Sequence, residues 1–339
     1  MPRIRKALEI RTHGSDRKRA WTAAGESSDV LAAISAGGGL ETELAIPDAE
    51  RTAIRRDRHM PSFIVVGPPR TGTSWLHQVL RHHMLLPAPT KETRFFDLHF
   101  SRGVQWYLSH FPRSSDRRLV GEVAPTYFAS PDARVRIAAT LPRVKLIFIF
   151  RHPVQRLISL YRLKRAYGTY RWSLEEALER DSELLGSGQY ATHLREWQGL
   201  FPSEQLSINF FDDLSSDPRG FVRQLSDFLN APRFELHESQ LRQVYSVASL
   251  SEPRSYLATR AASTMADWCK ARRFDNVVSA VRESGLFRFF IGGGPPFPEI
   301  SAETTRTISA QLLPEIEKME AMVNRDLSSW KSMPPAQGR

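Results

Sequence analysis

A glycine loop between an apolar run and a helical pattern constrains this chain most strongly. FIVV (63–66) is short, apolar and rich in β-branched residues, and SWLHQVLRHH (74–83) has helical spacing of its apolar residues. Between them, GPPRTGTSW (67–75) keeps the glycine spacing of a Walker loop but has Thr73 in place of the lysine. A loop that joins a strand to a helix directs backbone N–H groups and the positive end of the helix dipole at one point. The sequence therefore predicts an anion site here.

Further strand and helix patterns alternate along the chain. They predict an α/β fold, a single domain with a central parallel sheet and helices on both faces. The predicted strands after the first are 144–150 and 205–211, and the predicted helices are 131–142, 153–166, 188–201, 217–230 and a closing helix from about Ala302 to Trp330.

The composition limits the function classes. A net charge of +10 and a pI near 10.0 indicate anionic ligands, but we find no RNA-binding signature or zinc-finger spacing, so we expect no nucleic-acid partner. No apolar run approaches the roughly 18 residues of a membrane span, and the N-terminus lacks the apolar core of a secretory signal, so we expect a cytoplasmic protein. Cys269 is the single cysteine, which excludes an internal disulfide framework and a cysteine-built metal site.

Two motifs resemble those of sulfotransferases that use 3′-phosphoadenosine-5′-phosphosulfate (PAPS). FIVVGPPRTGTSWL resembles the 5′-phosphosulfate loop of that family, and LIFIFRHPVQRLISLYR (146–162) resembles its 3′-phosphate motif. The guanidinium of Arg151, where the strand ends, and the hydroxyl of Ser159, two helical turns along, can meet a phosphate that ATP does not have. The resemblance implies PAPS as co-substrate, with these binding residues: Arg70, Thr71, Gly72, Thr73, Ser74, Trp75, Arg151 and Ser159.

Two further stretches resemble the carbohydrate branch of the family, which includes the heparan sulfate enzymes. They are KETRFFDLHFSRGVQWYLSHFP (91–112) and GEVAPTYFASP (121–131). We expect a bacterial enzyme with a basic N-terminal extension and linker at 1–60, a sulfotransferase domain at 61–332 and a tail at 333–339. A helical insert at 235–290, outside the resemblance, is a candidate element of the acceptor cleft.

The resemblance also implies catalytic roles. Glu92 matches the catalytic base, while Lys91 and Arg70 would neutralise the leaving phosphate or the sulfuryl oxygens. We expect no metal, because arginine and backbone N–H groups can supply the positive charge. The alternative bases are three histidines: His82, His83 and His99.

The chain departs from the family pattern at two places. Val123 occupies the position where heparan sulfate enzymes usually carry lysine, so either Lys91 takes that role or Arg70 stabilises the leaving group. The family closes over the nucleotide with a basic loop, whereas FRFFIGGGPPFP (287–298) offers glycines and only Arg288.

The acceptor and the activity leave alternatives open. We expect a small-molecule or saccharide acceptor, such as a sugar or a glycosylated or secondary metabolite, and the oligomeric state stays open. Four aromatic residues could stack on an acceptor ring or belong to the core: Trp106, Tyr107, Tyr127 and Phe128. The rival functions are a P-loop ATP-dependent kinase or NTPase, which Thr73 and the lack of an obvious magnesium-binding Asp oppose, and a non-catalytic polyanion-binding protein.

Overall fold

The computed structural model describes residues 60–113, 118–245, 251–271 and 293–332. The predicted extension, apart from Met60, and the predicted tail lie outside these ranges, as do parts of the predicted insert. The division of the chain into extension, domain and tail therefore stays a prediction.

Four parallel strands form one sheet in the order β2-β1-β3-β4. The strands are β1 (Phe63–Gly67), β2 (Gly121–Val123), β3 (Lys145–Phe150) and β4 (Leu206–Phe210). The predicted α/β class with a central parallel sheet is confirmed.

Helices connect and flank the strands. In chain order they are α1 (Thr73–Leu80), α2 (Val104–Leu108), α3 (Pro131–Thr140), α4 (Pro153–Ala166), α5 (Leu174–Arg180), α6 (Ser182–Gly186), α7 (Tyr190–Gln198), α8 (Phe211–Ser216), α9 (Pro218–Leu229), α10 (Glu238–Tyr245), α11 (Tyr256–Ala271), α12 (Ala302–Val323) and α13 (Ser328–Lys331). Single turns of π-helix or 3₁₀-helix occur at Phe95–His99, Phe100–Arg102, Pro125–Tyr127 and Ser203–Gln205.

Alternate residues of β1 pack into two hydrophobic clusters on opposite faces of the sheet. Phe63 and Val65 pack on one face of the sheet with the apolar side of α1, and Ile64 and Val66 pack on the other face with an aromatic cluster. All four side chains are fully buried. A strand covered on both faces reads as a continuous apolar run, which is why FIVV was recognisable in the sequence.

The predicted closing helix is wrong in its extent. α12 ends at Val323 because Asn324 adopts a left-handed conformation with φ +48°, which stops a helix. A separate short helix, α13, then brings Trp330 into the core.

The strand connections place a crevice at the carboxyl edge of the sheet. The chain leaves β1 toward β2 on one side and later returns to form β3 on the other side of β1. In parallel sheets, ligands bind outside the carboxyl ends at such a switch point. Here it lies between the loop after β1 and residues 151–153 after β3. None of the helices that the structure describes is long and apolar enough to cross a bilayer.

Candidate active site

The loop after β1 turns at two glycines with positive φ. Gly67 has φ +99° and Gly72 has φ +92°, in the region that favours glycine. A Cβ on Gly67 would stand 2.7 Å from the backbone of Pro125, and one on Gly72 would stand 2.7 Å from Leu214 Cδ2. The loop therefore lies tightly against its neighbours, and only glycine fits at both turns.

The predicted ligands at the start of α1 differ in exposure. Thr71 is fully buried and its hydroxyl donates to a carbonyl within the loop at 2.8 Å, and Thr73 is also buried. Ser74 is exposed at the first turn of α1. The indole of Trp75 packs in the core and donates to the carbonyl oxygen of Gln240 at 2.8 Å. Their predicted contacts with a nucleotide stay predictions.

Arg70 links the first loop to the second motif. Its Nε donates to Ser159 Oγ of α4 at 2.9 Å, and Arg151 Nη1 lies 3.5 Å from the Arg70 carbonyl oxygen. Arg151 is held in turn by the ring of Phe211, 4.7 Å below its guanidinium, and by Tyr190, whose hydroxyl donates to the Arg151 carbonyl oxygen at 3.1 Å. The structure thus brings Arg70, Arg151 and Ser159 together.

Two mutually repelling cations meet at this place. Burial lowers the pKa of Arg70, and the charge of Arg151 lowers it further. Burial also lowers the pKa of Arg151, against smaller opposite effects of Tyr190 and Asp212. Neither guanidinium forms a salt bridge with an acidic side chain of the described residues. Half-buried positive charges that form no salt bridge favour an anionic ligand.

Lys91 and Glu92 lie at the helix end of the same loop. Lys91 Nζ is 3.1 Å from Glu92 Oε1 and 3.4 Å from Ser74 Oγ. Both side chains are about one quarter exposed, at 27% and 26%. Burial lowers the pKa of the nearby His77 to about 4, and the charge of Lys91 contributes to this. A carboxylate, an ammonium and a hydroxyl therefore meet beside the first turn of α1.

A model of the sulfotransferase domain family matches residues 60–275, more than half of the chain. The chain belongs to this family. The match includes residues 235–275, for which the sequence motifs gave no resemblance. Within the described residues of this sulfotransferase, no group of three or more His, Cys, Asp or Glu side chains could hold a metal ion.

Similar proteins support the same assignment. Heparan sulfate glucosamine 3-O-sulfotransferase 3A1 of Mus musculus is 31% identical over 215 residues, covering 60% of this chain and 55% of that protein. Heparan sulfate glucosamine 3-O-sulfotransferase 6 of Homo sapiens is 35% identical over 185 residues, covering 52% and 54%. The chain thus spans about half the length of these curated relatives. A sulfotransferase structure from Alicyclobacillus acidocaldarius has 20% identity and a TM-score of 0.57, covers 80% of this chain and 99% of that one, and shares the fold.

A buried carboxylate stands beside the Lys91–Glu92 pair. Glu122, on β2, is fully buried and accepts hydrogen bonds from Thr93 and Tyr107, with Tyr127 in contact with both of its oxygens. Burial raises the pKa of Glu122 to about 7, against the lowering effect of these hydrogen bonds. No role was predicted for Glu122 from the sequence. An acidic residue inside a buried strand could have indicated a special role, but β2 has only three residues and is hard to recognise as a strand from the sequence.

The structure also locates the two departures from the family pattern. Val123 is fully buried in the core, so no charge reaches the site from this position. Of the glycine-rich segment, 287–292 lies outside the described residues. Gly293 pairs with Pro253, and the ring of Phe297 lies 6.0 Å from the guanidinium of Arg162 on α4. This segment therefore runs beside the helix that carries Ser159.

Three of the four aromatic candidates for acceptor stacking belong to the core. Tyr107, Tyr127 and Phe128 are fully buried in the same aromatic cluster. Because none of their surface is exposed, they cannot contact an acceptor. Trp106 is partly buried against the same cluster. The alternative interpretation of these residues, as core, is correct because the cluster fills one face of the sheet.

The alternative histidine bases lie in other surroundings. His83 stacks on Phe234 at 5.0 Å, and His99 meets the edge of Trp106 at 5.3 Å. His82 is exposed on the turn after α1. Glu92 is the acid–base candidate that the structure brings to the loop.

Proposed function

We propose that this chain transfers the sulfuryl group of PAPS to a hydroxyl or amine of a saccharide acceptor. The observation that carries the proposal is the meeting of Arg70, Arg151 and Ser159. These residues come from both predicted nucleotide motifs, and neither guanidinium forms a salt bridge with an acidic side chain of the described residues. A 3′-phosphate would supply the missing negative charge. ATP has no phosphate at that position.

The reaction requires a nucleophile in line with the leaving phosphate. The acceptor oxygen or nitrogen attacks sulfur, its proton passes to the carboxylate of Glu92, and the bond from sulfur to the 5′-phosphate oxygen breaks. 3′-Phosphoadenosine 5′-phosphate leaves with the electron pair. Lys91 or Arg70 carries the positive charge that offsets the growing charge on that phosphate.

The acceptor class is inferred from the relatives. Both relatives described above carry heparan sulfate glucosamine in their names, which supports a saccharide with a free hydroxyl or amine. The cytoplasmic location stays a prediction, which cell fractionation would test.

Calorimetry on the intact protein tests the donor. We expect 3′-phosphoadenosine 5′-phosphate to bind tightly and ATP with magnesium to bind weakly or not at all. Tight binding of ATP with magnesium alone would favour the kinase or NTPase hypothesis and contradict the proposal. Thr73 opposes that hypothesis, because a buried threonine stands where the Walker lysine would reach the phosphates.

Substitution of the base tests the chemistry. Glu92→Gln keeps the size of the side chain but cannot take a proton, so transfer from PAPS should fall by about 10²- to 10⁴-fold. Binding of 3′-phosphoadenosine 5′-phosphate should remain. Glu179→Gln, on an exposed position of α5, is the matched control and should leave both unchanged. An active Glu92→Gln protein would show that another group takes the proton, and a protein that binds the nucleotide but never transfers would fit the polyanion-binding hypothesis.

A further inference from the structure

Glu122 is a carboxylate that is buried inside the sheet, where a charged side chain is unfavourable. It lies in the middle of β2, opposite Ile64 of β1, and none of its surface is exposed. Its hydrogen-bond donors are all neutral, and no cationic side chain of the described residues pairs with it. Burying a carboxylate in this way costs several kcal/mol, whereas an apolar residue would fill the position at lower cost. The residue therefore needs an explanation beyond packing.

The donors show what the carboxylate holds. Glu122 Oε1 accepts from the backbone N–H of Thr93 at 2.8 Å and from the Thr93 hydroxyl at 2.6 Å. That N–H belongs to the peptide group that joins Glu92 to Thr93. Because a peptide group is planar and includes the Cα atoms on both sides, fixing its N–H also fixes the Cα of Glu92. One oxygen of Glu122 thus determines where the side chain of Glu92 begins.

The second oxygen orients the first. Tyr107 donates to Oε2 at 2.9 Å, and the hydroxyl of Tyr127 lies 3.3 Å from Oε2 and 3.4 Å from Oε1. Both tyrosines are fully buried in the aromatic cluster, so they hold the carboxyl group in one orientation. The Tyr127 hydroxyl also lies 3.3 Å from Thr93 Oγ1 and accepts from the Phe96 N–H at 3.5 Å, whereas the Tyr107 hydroxyl bonds to Glu122. Removing the Tyr107 hydroxyl therefore leaves the hydrogen bonds of Thr93 in place.

We propose that Glu122 is a positioning residue for the base, and that it anchors the Glu92–Thr93 peptide group so that the Glu92 carboxylate stays beside Lys91 and Ser74. This inference rests on the proposed function for the identity of the base. The anchor itself is a structural claim that holds or fails independently of the reaction.

Three variants separate positioning from stability. Glu122→Met removes the acceptor of both Thr93 donors, and because a displacement of about 1 Å can cost about 10²-fold, kcat should fall by that order while the KM for PAPS changes little. Glu122→Gln keeps an oxygen for Thr93 and should restore kcat to within a few-fold of the wild type. Tyr107→Phe removes a donor to the same carboxyl group from the other side, and its kcat should fall less than the kcat of Glu122→Met. Transfer from PAPS to de-O-sulfated heparan sulfate chains is the assay, below the unfolding temperature of every variant.

Hydrogen exchange read by mass spectrometry tests the anchor without any reaction. The peptide that contains the Thr93 amide should be protected in the wild type and in Tyr107→Phe, and should exchange faster in Glu122→Met. Equal exchange in all three proteins would overturn the proposal, as would an equal loss of kcat in Glu122→Met and Tyr107→Phe. If Glu122→Gln loses as much kcat as Glu122→Met, the charge matters and the positioning role is wrong. If the wild type transfers no sulfuryl group while the Thr93 amide behaves as expected, the proposed function fails and the anchor stands.

Discussion

The buried carboxyl group of Glu122 makes a stability prediction that depends on pH. Burial raises its pKa from 4.5 to about 7, so the folded protein binds this proton more tightly than the unfolded chain does. The folded state is therefore favoured when the group is protonated, and this contribution is lost as the pH rises from about 4.5 through about 7. The glutamine of Glu122→Gln carries no titrating proton and escapes the loss.

The size of the effect follows from the pKa change. A rise from 4.5 to about 7 corresponds to about 3 kcal/mol in all, of which about 2.5 kcal/mol falls between about pH 5 and pH 8. Relative to the wild type, Glu122→Gln should gain this amount in free energy of unfolding over that interval. His77 and His193, whose pKa values burial lowers to about 4, titrate in both proteins and cancel in the difference.

Urea unfolding followed by tryptophan fluorescence measures the difference at each pH. Glu179→Gln, at an exposed position on α5, is the control for the loss of a carboxylate that is not buried. If the difference between Glu122→Gln and the wild type does not change with pH, then Glu122 does not take up a proton on folding, and the reasoning from its burial is wrong.

Three further predictions concern the nucleotide loop and its partners. Arg151→Ala should weaken the binding of 3′-phosphoadenosine 5′-phosphate by about 1.5 to 3 kcal/mol in calorimetry but leave the binding of adenosine 5′-phosphosulfate nearly unchanged. An equal loss of binding for both nucleotides would contradict the assignment of Arg151 to the 3′-phosphate. Gly67→Ala should reduce the free energy of unfolding by about 1 to 3 kcal/mol, because Gly67 has a φ of +99° and an added Cβ would clash with Pro125. Gly186 has open space around it, so Gly186→Ala should be neutral or slightly stabilising in the same urea titration. A chelator should leave transfer from PAPS largely intact, because arginine and lysine supply the charge, and a strict magnesium requirement would contradict this.

The sequence correctly predicted the helices and strands that are marked by a local residue pattern. The helix predicted at 153–166 has the observed bounds of α4, because a proline marks its first turn and apolar residues repeat at helical spacing. β3 was recognisable because a strand buried on both faces is a continuous apolar run. These signals are local and need no knowledge of the neighbours.

The elements that were missed depend on contacts between distant parts of the chain. β2 has three residues, and one of them is Glu122, so neither length nor apolar pattern indicates a strand. It forms because it pairs with β1, more than 50 residues earlier. The end of α12 depends on the conformation of Asn324, which the apolar pattern of the closing segment does not contain.

The side-chain contacts of the site also depend on distant parts of the chain, and those of Arg70 affect the proposed mechanism. The sequence predicted that Arg70 neutralises the leaving phosphate or the sulfuryl oxygens of the donor, but its backbone takes φ +73° and its Nε donates to Ser159, 89 residues away in sequence. The Arg70 side chain is thus hydrogen-bonded to the serine that is predicted to bind the 3′-phosphate, while Lys91 is the cation beside Glu92 and Ser74. Since Val123 leaves the position of the family lysine uncharged, this division of charges favours Lys91, rather than Arg70, as the group that stabilises the leaving 5′-phosphate. In the proposed reaction, a lysine beside the base would attract the departing phosphate without any contribution from Arg70.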